Sequence, residues 1–352
     1  MSMFRRRLLM RQAQYMSLPE PIAKYEAYNL TNDSDGRETL TDLTGNGHDI
    51  QLYNFAFDGA SGYGKYSIDM NSIVYRESDK SYRLNYNTFN LKGINFSNIK
   101  VPVLNKQINV TINVNIKNEY TENSLDVYYF KEDNNTAVFI KYGLANGINT
   151  INYTMPEEDN PVNFVIAWRD RTTNVDVDIE FIPDYKGALV SDGVDDYGLC
   201  ENFPILTKEK GYTVCAIRTQ LNNDGTLVSK RTVRSSEGSG DQIGAFQVER
   251  YYGDVPIAFS FGGRTNFDSH SKDIFIFQRS NSYCGIPLLV GECKDYVDLT
   301  IFGYYRNLEV GSFALYALEI YDRDLTDEEI AKVKERMIQR YEEKTGQKYE
   351  EA

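Results

Sequence analysis

Three carboxylates recur at two-residue spacing in Asp176-Val177-Asp178-Ile179-Glu180-Phe181. On a strand, residues i, i+2 and i+4 point to one face, so Asp176, Asp178 and Glu180 are expected to stand together. Retaining glycoside hydrolysis needs two such groups about 5 to 5.5 Å apart, one as nucleophile and one as acid/base. The same pattern is also the polar face of an amphipathic strand, with the aliphatic residues between turned inward. The sequence favours that second reading.

Other chemistry-bearing residues are scattered. His48 and His270 have no nucleophile signature beside them, so a hydrolase triad has no support. Cys200, Cys215, Cys284 and Cys293 lack the CxxC spacing of a zinc ribbon or redox pair and are expected as free thiols. Ser235-Ser236-Glu237-Gly238-Ser239-Gly240 lacks the Gly-Lys-Ser/Thr ending of a phosphate cradle and reads as a loop. An aromatic platform with a few polar groups can hold a sugar, and Tyr251, Tyr252, Tyr304 and Tyr305 are the candidates. One tyrosine of each adjacent pair is expected to face a core.

The elements that must position these residues are mostly strands. Ile108, Val110, Ile112, Val114 and Ile116 alternate with polar residues, mostly Asn, as do Val175, Val177, Ile179 and Phe181. Further strands read at Val127-Tyr128-Tyr129-Phe130, Val138-Phe139-Ile140, Phe164 to Trp168, Val214 to Ile217, Ile257 to Phe261, Ile274 to Phe277 and Phe313 to Tyr321. Turns rich in Asn, Asp and Gly separate them. One convincing helix follows: Thr326 is its N-cap, Glu329 completes a capping box, and Ile330, Val333, Met337 and Tyr341 form its apolar stripe. Beyond Tyr341 the stripe gives way to charge, and fraying is expected.

A chain of 352 residues exceeds what one core usually serves, so two packed modules are expected. The apolar fraction is 41% and the aromatic residues are dominated by 27 Tyr and 18 Phe, which favour strands. A net charge of −13 argues against a nucleic-acid-binding body, since phosphate neutralisation needs clustered Lys and Arg. The opening segment has the opposite sign: Arg5, Arg6, Arg7 and Arg11 make residues 1–21 a basic arm suited to anchoring. Its apolar run, Leu8 to Met10, is too short for a signal-peptide core, so no secretion is expected. No later window suits a membrane span, and no membrane partner is expected.

Three segments, in order, resemble the concanavalin A-like lectin/glucanase superfamily, in particular laminin G-like jelly rolls. They are the Asp42-Leu43-Thr44-Gly45-Asn46-Gly47-His48-Asp49 turn before a strand, Leu189-Val190-Ser191-Asp192-Gly193-Val194-Asp195-Asp196-Tyr197, and the closing stretch from Ala317 to Ile330. The resemblance implies an all-β fold: an antiparallel jelly-roll sandwich interrupted by a second β-sandwich, with a basic N-terminal arm and a C-terminal helix. In that family the first two segments lie close together; here they are far apart. The jelly roll is therefore expected at 22–66 plus 185–325, the inserted sandwich at 67–184, and the helix and tail at 326–352.

Retaining glucanases of this superfamily carry a Glu-x-Asp-x-(x)-Glu strand motif, to which Asp176, Asp178 and Glu180 are a near match. The nucleophile position holds the shorter Asp176, and the motif falls in the insert. Both departures count against an enzyme. Laminin G-like jelly rolls sometimes hold Ca²⁺, which takes oxygen ligands, and Asp192, Asp195 and Asp196 would supply them. Turn chemistry explains the same residues without an ion, and no cofactor is expected. The arginine- and methionine-rich start before such a jelly roll, with Tyr53-Asn54-Phe55-Ala56-Phe57 leading to Ser61-Gly62-Tyr63-Gly64, also resembles virion proteins of tailed phages of gut bacteria, including crAss-like phages. That resemblance implies a non-catalytic head or tail fibre or decoration subunit, made in the host cytoplasm. Its expected partners are other virion proteins through the arm, further copies of itself, with a trimer expected from fibre proteins generally, and a cell-surface glycan. A glucanase-type enzyme and a free-standing lectin are the alternatives.

Overall fold

The computed structural model describes residues 18–76, 81–93, 97–103, 106–117, 125–131, 136–168, 174–207, 209–222, 225–231, 244–252, 255–260, 263–265, 274–280, 283–287, 298–303 and 310–349. The protein is predominantly β, with antiparallel sheets and a C-terminal α-helix. It divides into two compact units. One comprises residues 1–30, 34–55 and 187–352, the other residues 31–33 and 56–186. Among the described residues no helix is long and apolar enough to cross a membrane.

The unit at 56–186 packs two five-stranded sheets face to face. One orders Ala137–Lys141, Leu125–Phe130, Asn163–Trp168, Asn98–Pro102 and Val74–Tyr75; the other orders Gly147–Thr154, Gln107–Ile116, Val175–Ile182, Thr88–Gly93 and Ser81–Asn85. The alternation in the sequence decides which side of each strand is covered. Ile108, Val110, Ile112 and Val114 are buried, as are Val175, Val177, Ile179 and Phe181, and the residues between them face outward. A one-residue slip would turn these aliphatic sets into water, so the pattern fixes the register. Their core is completed from the facing sheet by Val127, Tyr129, Phe164, Ile166 and the fully buried Trp168.

In the other unit, a sheet of nine strands orders Thr39–Leu40, Ile50–Tyr53, Tyr197–Cys200, Leu299–Ile301, Gly225–Arg231, Gly244–Tyr252, Val255–Ser260, Gly263–Thr265 and Tyr283–Pro287. A second sheet has Phe313–Tyr321 at its middle. Thr213–Gln220 pairs along one side of that strand, with Phe275–Arg279 beyond it, while Ala23–Glu26 and then Leu189–Val190 pair along the other. All nine residues of Phe313–Tyr321 are buried.

Helix α1, Asp327–Thr345, explains one covered face of that strand. Thr326 and Glu329 form the expected capping box, and Ile330, Val333, Met337 and Tyr341 are its buried residues. The helix does not fray after Tyr341. It continues to Thr345 and closes at Gly346, whose left-handed φ of 73° lets its N–H reach the Glu342 carbonyl. Arg336 binds Glu319 and the Tyr321 hydroxyl, Arg340 binds Glu26 at 3.1 Å, and Lys24 lies 3.5 Å from Glu319. The ring of Tyr341 meets Tyr316 edge-on at 4.9 Å, and Tyr316 sits where the pairing with Thr213–Gln220 shifts register.

Candidate functional site

The Asp42–Asp49 turn is a structural clamp built on one carboxylate. Asp42, 4% exposed, accepts from the N–H groups of Lys24 at 3.1 Å, Thr44 at 3.0 Å and His48 at 3.3 Å, and from the Thr44 hydroxyl. Burial opposes ionisation, yet the hydrogen bonds from Thr44, Lys24 and His48 hold its carboxyl below the usual range. Gly45 and Gly47 both adopt φ of 80°, which the tight turn requires. The His48 carbonyl accepts from Tyr25 Oη at 2.6 Å, and the His48 ring rests on Phe203, 5.3 Å between centroids. His48 is thereby a packing residue of the turn.

The strand that leaves this turn, Ile50–Tyr53, pairs with Tyr197–Cys200 and sets Tyr53 directly opposite Tyr197. The two rings stack with centroids 5.0 Å apart and planes 12° from parallel. Tyr53 is 38% exposed. Asn54 follows in the left-handed region, which Asn tolerates, and its side-chain amide donates to the Asp195 carbonyl at 2.9 Å. That bond ties the aromatic pair to the acidic turn.

The turn itself brings together Asp192, Asp195 and Asp196, the three residues considered as Ca²⁺ ligands in the sequence. The carboxylates of Asp192, Asp195 and Asp196 offer oxygens within 4.8 Å of one another. Asp192 accepts from the N–H groups of Val194 at 2.7 Å and Asp195 at 3.4 Å, and Asp196 accepts from Asp192 N–H at 2.8 Å. These bonds build the bend from its own side chains, as Asp-rich turns do without an ion. Gly193 takes φ of 79° where a Cβ would come within 2.9 Å of Ser312 Cβ, so a larger residue there would strain the turn. Asp192, Asp195 and Val194 remain exposed, Val194 by 75%. The result is a pair of stacked rings beside exposed carboxylates on one loop edge. Such a set can pack the C–H face of a pyranose on a ring and accept hydrogen bonds from its hydroxyls.

Asp176, Asp178 and Glu180 share the outward face of Val175–Ile182, as their spacing requires. Asn90 on the neighbouring strand donates from Nδ2 to Asp176 at 2.8 Å and to Asp178 at 2.7 Å. Lys117 Nζ lies 2.8 Å from the other Asp178 oxygen, and that bond raises the lysine above its usual range. Asn113 donates to Glu180 at 3.2 Å. Both Asp178 oxygens are thus engaged by neighbours in the sheet.

The remaining candidates give less. Tyr251 and Tyr252 lie in the strand Gly244–Tyr252, but their side chains are outside the described residues. Tyr304, Tyr305, His270, the loop 235–240 and the arm residues Arg5, Arg6, Arg7 and Arg11 also lie outside the described residues. Cys200 and Cys215 are buried free thiols, and burial raises the Cys200 thiol to about 11. Lys230 was not anticipated. On the strand Gly225–Arg231, it is 1% exposed, donates to the Phe203 carbonyl at 3.1 Å, and is lowered to about 8 by burial. Sequence reasoning also missed Tyr53 and Tyr197 as a pair. Their aromatic identity was visible, but only the strand pairing brings them together.

No protein-family model matches the chain, and no curated protein matches it. Among solved structures, recombinant N-glycanase F (PNGase F) is similar at 11% identity, over 68% of this chain and 97% of that chain, with a TM-score of 0.16. A likeness that slight carries no argument about fold or function.

Proposed function

We propose that the chain is a non-catalytic structural protein of a virion, a head or tail fibre or decoration subunit, whose concanavalin A-like jelly roll binds a cell-surface glycan. The observation that carries the glycan reading is the stacked Tyr53–Tyr197 pair beside the exposed carboxylates of Asp192 and Asp195. In this reading the jelly roll is the unit at 1–30, 34–55 and 187–352, and the inserted sandwich is the unit at 56–186. The virion assignment draws on the sequence resemblance and on the charge of the arm: Arg5, Arg6, Arg7 and Arg11 precede an acidic body and anchor it to other virion proteins. In this reading Asp176, Asp178 and Glu180 serve the sheet and not a reaction, a reading supported by the bonds from Asn90 to Asp176 and Asp178, from Lys117 to Asp178 and from Asn113 to Glu180. No cofactor is required.

The test is a glycan array probed with the full-length chain and with a Tyr53→Ala/Tyr197→Ala variant. Specific binding that the variant loses supports the reading. Absence of binding, or binding that the variant retains in full, removes the site. Assembly is tested separately by light scattering of the full chain beside a version lacking residues 1–19, where an oligomer that survives truncation leaves the arm free to anchor.

A further inference from the structure

One sheet of the unit at 56–186 ends in an open edge. Gly147–Thr154 is the outermost strand of its sheet, and among the described residues it pairs only with Gln107–Ile116. The pairing runs without a bulge from Gly147 opposite Val114 to Thr154 opposite Gln107. Two bonds at its end show which way each peptide group points. Ile116 N–H turns toward the edge strand, to Asn146 Oδ1 at 2.9 Å, while Lys117 N–H turns the other way, to the Asp176 carbonyl at 2.9 Å. Peptide groups alternate sides along a strand, so Val114, Ile112, Val110 and Ile108 bond to Gly147, Asn149, Ile151 and Tyr153. The N–H and C=O groups of Ile148, Thr150, Asn152 and Thr154 therefore point out of the sheet. All four residues are exposed, Ile148 by 66%, and their N–H groups have no acceptor among the described residues.

An edge of this length is a template for pairing with another chain, and proteins blunt such edges with charge, proline or a bulge. Gly147–Thr154 uses none of these. Neither it nor its neighbour Gln107–Ile116 contains Asp, Glu, Lys, Arg, His or Pro, in a chain whose net charge is −13. Among the described residues one side chain reaches the edge from outside the strand. Lys141, at the end of Ala137–Lys141 in the facing sheet, donates from Nζ to the Thr150 carbonyl at 3.4 Å. That bond confirms that the Thr150 carbonyl points outward, and at such a length it is weak enough to exchange for a backbone donor.

Charge and register identify the occupant. Two acidic bodies repel each other, and a neutral edge is where they can approach. The edge is also complementary to itself. About a twofold axis through Ile151, Thr150 of one copy lies opposite Asn152 of the other, and Ile148 lies opposite Thr154. This register brings every outward residue of both strands into a hydrogen-bonded pair, for about eight backbone hydrogen bonds along roughly 27 Å of strand. No like charges face each other across it. We propose that Gly147–Thr154 is a self-pairing edge, through which two copies of the chain join these sheets antiparallel into one. The pairing is independent of the Tyr53–Tyr197 site and of the virion assignment, and stands without either.

The test measures the mass of the full-length chain by light scattering over a hundredfold range of concentration, beside Thr150→Lys/Asn152→Lys and Thr150→Glu/Asn152→Glu. Both positions are exposed, so the variants are expected to fold, and matched thermal melts check this. Each variant alone sets like charges opposite one another, which should weaken self-association on the order of tenfold or more. Wild type is expected to reach twice the mass of either variant. Mixing the two variants sets Lys opposite Glu and is expected to restore the wild-type mass. Amide exchange at Ile148, Thr150 and Asn152 is expected to slow as wild-type concentration rises. A wild type no heavier than the variants at any concentration overturns the proposal and leaves the edge to a strand from a different protein. A mixture that stays at the mass of the separate variants also overturns it. An oligomer of three copies that both variants retain would place assembly on another surface and overturn it as well.

Discussion

Tyr53 and Tyr197 face each other across two neighbouring strands, their ring centroids 5.0 Å apart and their planes 12° from parallel. Each ring restricts the other, so a glycan bound there as proposed would find little side-chain entropy left to lose. Asn54, fixed to the Asp195 carbonyl, holds the neighbouring acidic turn beside it. Removing one ring should therefore weaken binding while leaving the fold intact, because Tyr53 is partly exposed.

The Asp42 clamp should contribute to the acid stability of its unit. Asp42→Ala leaves the N–H groups of Lys24, Thr44 and His48 without their acceptor and is expected to cost about 3 kcal/mol, measured by urea unfolding. The folded carboxyl lies below its ordinary value of 3.8, so its contribution is complete above that pH and is lost as pH falls through the folded value. Glu329, held at about 2 by Arg323, acts in the same direction between about 4.5 and 2. Wild-type protein should lose stability below about pH 4.5, and Asp42→Ala should show a shallower loss.

Lys230 should act at the alkaline end. Burial lowers it from 10.5 to about 8, so the folded chain sheds its proton before the unfolded chain does. Between those values the unfolded state binds more protons, and stability rises with pH. The penalty is full below about 8 and amounts to about 3 kcal/mol on the order-of-magnitude conversion of pKa to free energy. Lys230→Met removes it, at the loss of the hydrogen bond to the Phe203 carbonyl. The stability difference between Lys230→Met and wild type should shrink as pH rises from 8 to 10.5, and a difference that does not change with pH contradicts this.

Helix α1 is tied down through Glu319, which is 2% exposed and serves Arg336, Lys24 and Tyr321 together. Removing it strands the Arg336 guanidinium against the sheet. Glu319→Ala is expected to cost about 3 to 5 kcal/mol in chemical denaturation. Glu319→Gln, which keeps the shape and part of the hydrogen bonding, should cost less.

Local patterns were legible in the sequence. The alternation of Ile108 to Ile116 and of Val175 to Phe181 places their buried faces correctly, because strand period and burial are the same fact read twice. The Thr326–Glu329 capping box and the apolar stripe of α1 likewise follow from short-range spacing. The end of α1 did not, since the stripe fades while the Gly346 cap and the bond from Lys344 to Asn29 at 3.1 Å sustain the last turn. Asp176, Asp178 and Glu180 sit on one face as their spacing says, yet Asn90 and Lys117, which bind them, come from segments distant in the sequence. The same holds for the aromatic pair: Tyr53 meets Tyr197 through a strand pairing that no local pattern encodes.

The most direct measurement is calorimetric titration of the best array glycan into wild type, Tyr53→Ala and Asp195→Asn, with and without EDTA. Wild type is expected to bind, Tyr53→Ala to lose about tenfold or more, and Asp195→Asn to lose a smaller factor. EDTA should change nothing, because the acidic turn is closed by its own N–H groups. Unaltered affinity in Tyr53→Ala would contradict the glycan-binding role given to the Tyr53–Tyr197 pair.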